Sequence, residues 1–169
     1  MIDARYPAGP PDFTDPIAGV RIWRVAPTLW WQMGGLLWSP AMREPWPTGE
    51  VYRAACRMDH APGSAGCGCG VYSFYTPELA KRGSYWPTSD REIAGVIGAS
   101  GEVDLSSVGM RSGSATIEAI FTAGAPDSEL PLSRQEIADG YGAEVIDPED
   151  FEEFCDRRAL VREPLRFFE

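Results

Sequence analysis

The sequence predicts an α+β fold that is mainly antiparallel β, built as a small barrel or a curved sheet with short helices. Three observations predict it. Glycine and proline are frequent, at 18 and 15 of 169 residues, which favours many short strands and turns over long helices. Several short segments alternate apolar and polar residues, as half-buried strands do. Two clear helix-start signals lie in the C-terminal quarter, so the last two helices are expected near the C-terminus.

Composition divides the chain into three parts. Residues 1–17 are rich in proline and aspartate and are expected to form a flexible N-terminal arm. Residues 18–126 contain the predicted strands and a cysteine–histidine cluster, and we expect a β-rich domain there. Residues 127–169 are acidic, with helix-start signals, and are expected to pack on that domain as a helical segment.

The predicted strands are short and follow one another closely. They cover residues 20–25, 28–38 (a hairpin or a bent strand that turns at 34–35), 51–56, 71–75, 93–99, 102–108 and 114–121, with an irregular crossing at 40–49. The last two are expected to pair as a hairpin across 109–113. Within the first of them, Arg21 and Arg24 alternate with apolar residues, so we expect the arginines to face water. The apolar run 93–99 is typical of a central, buried strand.

Three short helices are predicted from their capping residues. Their starts are Thr76 before Pro77, Ser133 with Glu136, and Asp147 before Pro148. The third helix carries Cys155 beside two phenylalanines on one face, so this cysteine is interpreted as a core thiol.

The segment 56–69 contains the only histidine and three of the four cysteines of the chain. Its pattern, Cys56-x3-His60-x6-Cys67-x-Cys69, can place four soft ligands around one ion, since a structural zinc site needs four thiolate or imidazole ligands in a closed tetrahedron. Glycine, proline and serine between the two pairs allow the chain to fold back. We therefore predict one structural Zn²⁺ held by these four residues.

Three other interpretations of the same segment stay open. The cysteines can be buried thiols that pack as small hydrophobes. They can form disulfides if the protein is secreted. A thiol activated by His60 can act as a nucleophile, or a zinc with three ligands and water can be catalytic.

Charge and composition narrow the classes of function. The formal net charge of −10 opposes a nucleic-acid surface or an anionic membrane surface, because phosphate binding needs a clustered basic face. No apolar run reaches the length of a membrane span, and the N-terminus lacks the layout of a signal peptide. We therefore expect no membrane partner and a cytoplasmic location, where thiols stay reduced and available to metal.

The adjacent Trp30 and Trp31 give the second binding signal. On a strand, neighbouring side chains point to opposite faces, so one of the two indoles is expected to meet solvent or a partner. Exposed tryptophan is enriched in the energetic centres of protein interfaces. These two residues are the candidate partner-binding residues.

A wider set of residues carries a resemblance to a family. The order Trp23-Arg24-Val25, Pro45-Trp46-Pro47, Cys56, His60-Ala61-Pro62 and Cys67-x-Cys69-Gly70-Val71-Tyr72 resembles a family of small uncharacterised proteins of actinobacteria and their phages. The likeness covers roughly residues 18–75 and weakens beyond, where an apolar strand ending in Trp-Gly would be expected. It implies a shared cysteine–histidine unit and no assigned activity.

These observations favour a zinc-stabilised, cytoplasmic protein-binding module, non-enzymatic and, on the resemblance, phage-encoded and directed at a host protein. The first alternative is a zinc- or thiol-dependent enzyme centred on His60, Cys67 and Cys69. The second is a small-barrel nucleic-acid-binding domain with Arg21, Arg24, Arg53 and Arg57 on one face.

Overall fold

A computed structural model describes residues 15–27, 31, 34–40, 44–56, 58–64, 66–89, 91–162 and 164. Over these residues the fold is α+β and mainly antiparallel, as predicted. The strands are β1 (Ile17–Val25), β2 (Gly35–Trp38), β3 (Pro45–Pro47), β4 (Tyr52–Arg53), β5 (Val71–Phe74), β6 (Glu92–Leu105), β7 (Gly109–Phe121) and β8 (Glu144–Ile146). The α-helices are α1 (Pro77–Arg82), α2 (Arg134–Tyr141) and α3 (Phe151–Arg157), with 3₁₀ turns at Asp127–Glu129 and Pro148–Asp150.

Four of the strands close into a ring. β6 pairs antiparallel with β1 along one edge and with β7 along the other. β5 pairs with both β1 and β7 on their far edges, so the sheet curves back on itself. β2 and β3 extend the sheet beyond β1, while β4 and β8 pair with further parts of β7, β8 in parallel. The expected curved sheet is therefore a four-stranded ring with extensions.

Two hydrophobic cores lie on the two sides of this sheet. The inner core contains alternate residues of β1 (Ile17, Trp23, Val25) with Trp46 of β3, and Ile137 of α2 packs into it. The outer core contains the intervening residues of β1 with Phe121, and it is covered by α3 and by Ala80 of α1. Because both faces of β1 are covered, the alternation of residue types along this strand does not distinguish a solvent-exposed face from a buried face.

Arg21 is the clearest departure from the predicted pattern of β1. It is only 8% exposed, whereas Arg24 is exposed. The Nη1 group of Arg21 donates to the Tyr72 carbonyl oxygen at 2.6 Å, and Nη2 donates to Ser39 Oγ at 3.0 Å. The prediction that both arginines face water is wrong for Arg21, because its position in the strand points the side chain to the inner side of the ring.

The helix caps explain where two of the helices begin. Thr76 Oγ1 accepts the Leu79 N–H at 3.2 Å at the start of α1. Ser133 and Glu136 form the predicted capping box of α2, which satisfies N–H groups that the first helical turn leaves unpaired. The third helix starts later than predicted, at Phe151, because Pro148–Asp150 form a 3₁₀ turn. Cys155 is fully buried in α3, as expected for a core thiol, and burial raises its pKa to about 12.

Helix α2 also fixes the β2–β3 extension through one phenol. Tyr141 Oη accepts the N–H groups of Leu36 and Leu37 at 3.2 and 3.0 Å and donates to the Trp46 carbonyl oxygen at 2.8 Å. These contacts fall where the register of β2 against β3 shifts, between Gly35 and Leu37. Burial raises the pKa of Tyr141 to about 12.

Candidate metal centre

Both ends of the cysteine segment are anchored on the same strand. Tyr52 of β4 lies opposite Ala115 of β7, and Val71 of β5 lies opposite Ser112. The chain that leaves β4 therefore returns to β7 only a few residues from where it departed. This arrangement places Cys56, after β4, close to Cys69, before β5.

The loop between them is shaped by its own backbone hydrogen bonds. The N–H of Gly63 donates to the Cys69 carbonyl oxygen at 3.2 Å, and the N–H of Cys67 donates to the Ser64 carbonyl oxygen at 3.1 Å. Gly63 and Gly66 both have φ of +85°, a conformation that glycine adopts without steric cost. The predicted fold-back is thus achieved by two left-handed glycines.

Three of the four predicted ligands come together. The sulfur atoms of Cys56, Cys67 and Cys69 all lie within 4.8 Å of one another. Cys67 is buried and the other two are half-buried. All four cysteines of the chain are free thiols, and the Cys67 thiol donates to Cys56 Sγ at 3.5 Å. Such a cluster can hold a metal ion, because soft thiolates are ligands for zinc, copper(I) and iron–sulfur centres.

Backbone N–H groups point at two of the sulfur atoms. The Met58 N–H lies 3.4 Å from Cys56 Sγ, and the Cys69 N–H lies 3.4 Å from Cys67 Sγ. Donation from Met58, joined by the backbone N–H of His60, lowers the pKa of the Cys56 thiol. The hydrogen bond to Cys56 raises the pKa of Cys69, because it favours the protonated thiol that donates. Of these two thiols Cys56 is therefore the easier to ionise, and a bound cation would favour loss of the proton from a coordinating thiol.

His60 has a different position from the three cysteines. Its side chain is exposed, and the group of mutually close ligand atoms found within the described residues does not include it. Its backbone is nevertheless adjacent to the Cys56 sulfur. His60 as the fourth ligand remains a prediction, and the three sulfur atoms leave one side of the cluster for it or for another ligand.

Of the two candidate partner-binding tryptophans, the structure describes only Trp31. Trp30 lies outside the described residues. Trp31 is partly buried, and its Nε1–H donates to the Ala26 carbonyl oxygen at 2.9 Å. Of the arginines proposed for a nucleic-acid face, Arg57 also lies outside the described residues, and burial removes Arg21 from any such surface.

Two further residues support the loop: Tyr72, which the sequence marked only as the end of the family pattern, and Arg111, which no sequence pattern marked. Tyr72 Oη donates to the Gly68 carbonyl oxygen, between two of the cysteines, at 2.8 Å. Arg111 Nη2 donates to the Ser64 carbonyl oxygen at 3.1 Å and to Asp104 Oδ2 at 2.7 Å. Tyr72, Arg111 and Asp104 are cross-strand neighbours on β5, β7 and β6. Only the strand register reveals this row, and nothing in the local sequence signals it.

No family model, curated protein or solved structure matches the chain. Among the described residues, none of the helices combines the length and the apolar character needed to cross a membrane.

Proposed function

We propose that the protein is a binding module stabilised by one zinc ion, which Cys56, Cys67, Cys69 and His60 hold. The observation that carries the proposal is the approach of three sulfur atoms to within 4.8 Å of one another. Thiolate ligands select zinc over the hard cations calcium and magnesium. The backbone donor at Cys56 lowers the pKa of that thiol and so favours the ionised sulfur that the metal requires.

The place of the cluster in the fold favours a structural role. The metal would cross-link the end of β4, the loop and the start of β5, in addition to the backbone hydrogen bonds that hold them. A closed four-ligand site stabilises such a connection without chemistry of its own.

Metal content tests the site directly. The purified protein is expected to contain one zinc per chain, and Cys56→Ala or Cys67→Ala is expected to lose it. Cys155→Ala is the matched control, because Cys155 is buried in α3 away from the cluster, and it should keep the metal. Elemental analysis with native mass spectrometry gives the stoichiometry. Absence of metal from the wild type, or equal loss in Cys155→Ala, contradicts the proposal.

Exposed apolar side chains lie near the cysteines along the chain and support a binding role. Among the described residues, the exposed large apolar side chains include Val51, Met58 and Tyr72, at 39%, 72% and 53%. Val51 leads into β4 and the cysteine site, Met58 follows Cys56, and Tyr72 follows Cys69. Methionine adapts to irregular partner surfaces, and an apolar patch, where such side chains meet, marks an interaction site.

The proposed partner is a protein. On the resemblance to actinobacterial and phage proteins, we extend the proposal to a phage-encoded module acting on a host protein in the reducing cytoplasm. Met58→Glu is expected to abolish capture of that partner from host lysate with zinc retained. Ser128→Glu, which adds the same charge at an exposed site on the 3₁₀ turn, is the control. Equal capture by both variants contradicts a surface centred on Met58.

A second candidate is a zinc enzyme, favoured by the exposure of His60. If His60 is not a ligand, three thiolates leave a position for water, as catalytic zinc requires. Cobalt substitution distinguishes the two, because the visible spectrum reports the ligands. A spectrum changed by His60→Ala supports the closed structural site, and an unchanged spectrum supports the open one.

A further inference from the structure

A cavity of about 260 Å³ lies beside the candidate metal centre. Its lining includes the aromatic rings of Tyr72, Phe74 and Tyr85 and the aliphatic side chains of Leu105 and Val108. Small-molecule sites are typically about 300–1,000 Å³ and mainly apolar, with few polar groups. The size and lining fit a compact aromatic group smaller than a drug-sized ligand.

One cation in the wall has an unused donor. Arg111 lines the cavity and pairs with Asp104 at 2.7 Å, with their side chains 13% and 44% exposed. The Nε–H of Arg111 is buried and has no acceptor among the described residues. A buried donor without a partner costs free energy, so the hydrogen bonds of the Arg111 guanidinium are incomplete where this residue lines the cavity.

A second guanidinium lies behind the same wall. Arg21 donates to the carbonyl oxygen of Tyr72 at 2.6 Å, and within the described part of the chain no carboxylate forms an ion pair with it. Arg111 and Asp104 line the cavity, whereas Arg21 lies behind its wall, on the inner side of the ring. The formal charge of these three groups together is positive although the chain as a whole carries −10, which favours an anion beside Arg111.

We propose that this cavity binds a small aromatic carboxylate, with the ring against Tyr72, Phe74 and Tyr85 and the carboxylate on Arg111. Ring stacking supplies the apolar contact, and the planar guanidinium suits a carboxylate. Asp104 competes with the ligand for Arg111, so its removal strengthens binding.

The probes are 2-naphthoate and its neutral analogue 2-naphthamide, titrated against the full chain by calorimetry. Naphthoate is expected to bind at least about fivefold more tightly than naphthamide, the ratio that one modest charge pair supplies. Asp104→Asn should tighten naphthoate binding by a similar factor and leave naphthamide unchanged. Glu129→Gln, which removes an exposed acid on the 3₁₀ turn, should change neither.

Filling the cavity gives the second test. Val108 is 45% exposed in the turn between β6 and β7, so Val108→Trp can occupy the mouth without disturbing the core and should abolish naphthoate binding. Ser128→Trp is the control and should bind as the wild type does. No saturable naphthoate binding up to about 1 mM, binding that survives Val108→Trp, or equal affinity for the two probes overturns the proposal.

Discussion

At the scale of single residues, Gly63 and Gly66 have the same backbone conformation but different packing. Both have φ of +85°. A Cβ on Gly63 would collide with the Glu102 carbonyl oxygen and lie 2.6 Å from the Gly113 nitrogen. At Gly66 the described residues leave open space around the same atom. Gly63 is therefore where the cysteine loop docks on the β6–β7 hairpin.

Substitution of the two glycines should have unequal effects. Gly66→Ala is expected to lower the free energy of unfolding by about 1–2 kcal/mol, through backbone strain alone. Gly63→Ala carries the same strain plus a clash with backbone, about 1–3 kcal/mol more, and should also weaken metal binding because the loop is displaced. Urea denaturation and competitive zinc titration measure the two quantities. Equal values for the two variants would show that the loop does not dock at Gly63.

At the scale of elements, the β2–β3 extension depends on a helix far away in sequence. Tyr141 of α2 holds the N–H groups of Leu36 and Leu37 at the register shift, and Leu37 is fully buried. Without the phenol, a buried N–H group would lose its acceptor. The extension is thus stabilised by tertiary contact more than by its own short strands.

Removal of this hydroxyl should give a pH-dependent loss of stability. At neutral pH, Tyr141→Phe is expected to lower the free energy of unfolding by about 1–3 kcal/mol. Tyrosine titrates near pH 10 when unfolded, whereas its folded pKa is about 12. The extra free energy of unfolding that the wild type has over Tyr141→Phe is therefore fully present below about pH 10 and is lost as pH rises toward 12.

The measurement is urea denaturation of wild type and variant at a series of pH values. The difference between them should narrow above about pH 10. Tyr85→Phe is the control for loss of a hydroxyl, because that group has no hydrogen bond to the described residues. A difference that stays constant to pH 12 would exclude Tyr141 as the titrating group.

At the scale of the whole molecule, the helix starts and most strands were predictable, and so was the antiparallel pairing of the last two predicted strands. The predicted strands 93–99 and 102–108 are one strand, β6, and the turn to β7 comes earlier than predicted. The other strand pairings were not predicted. Local signals such as the Ser133 capping box were sufficient because they act within one turn of helix. The burial of Arg21 was not predicted. The alternation of apolar and polar residues shows that a strand has two faces, but it does not show whether both faces are covered. The parallel strand β8 was not predicted, because a strand of three residues is too short to show an alternation of apolar and polar residues.

The candidate site, like the fold, was predictable where residues close in sequence determine it and not where distant strands meet. The close spacing of Cys67 and Cys69, and the glycines before them, indicated the approach of three sulfur atoms. The supporting row of Tyr72, Arg111 and Asp104 depends on the register of three strands. Residues distant in sequence meet there, and no local pattern encodes that meeting.

The pairing of β1 also has a consequence for how the chain folds. Ile17 lies opposite Ala99 and forms a bridge with Val161, and the Ala18 N–H donates to the Val161 carbonyl oxygen at 2.8 Å. Folds dominated by such distant contacts form in milliseconds to seconds. During synthesis, β1 leaves the ribosome long before its last partner exists. Arg21 and Arg24 then interrupt an apolar segment that would otherwise aggregate, so a charge that is costly in the folded core protects the nascent strand.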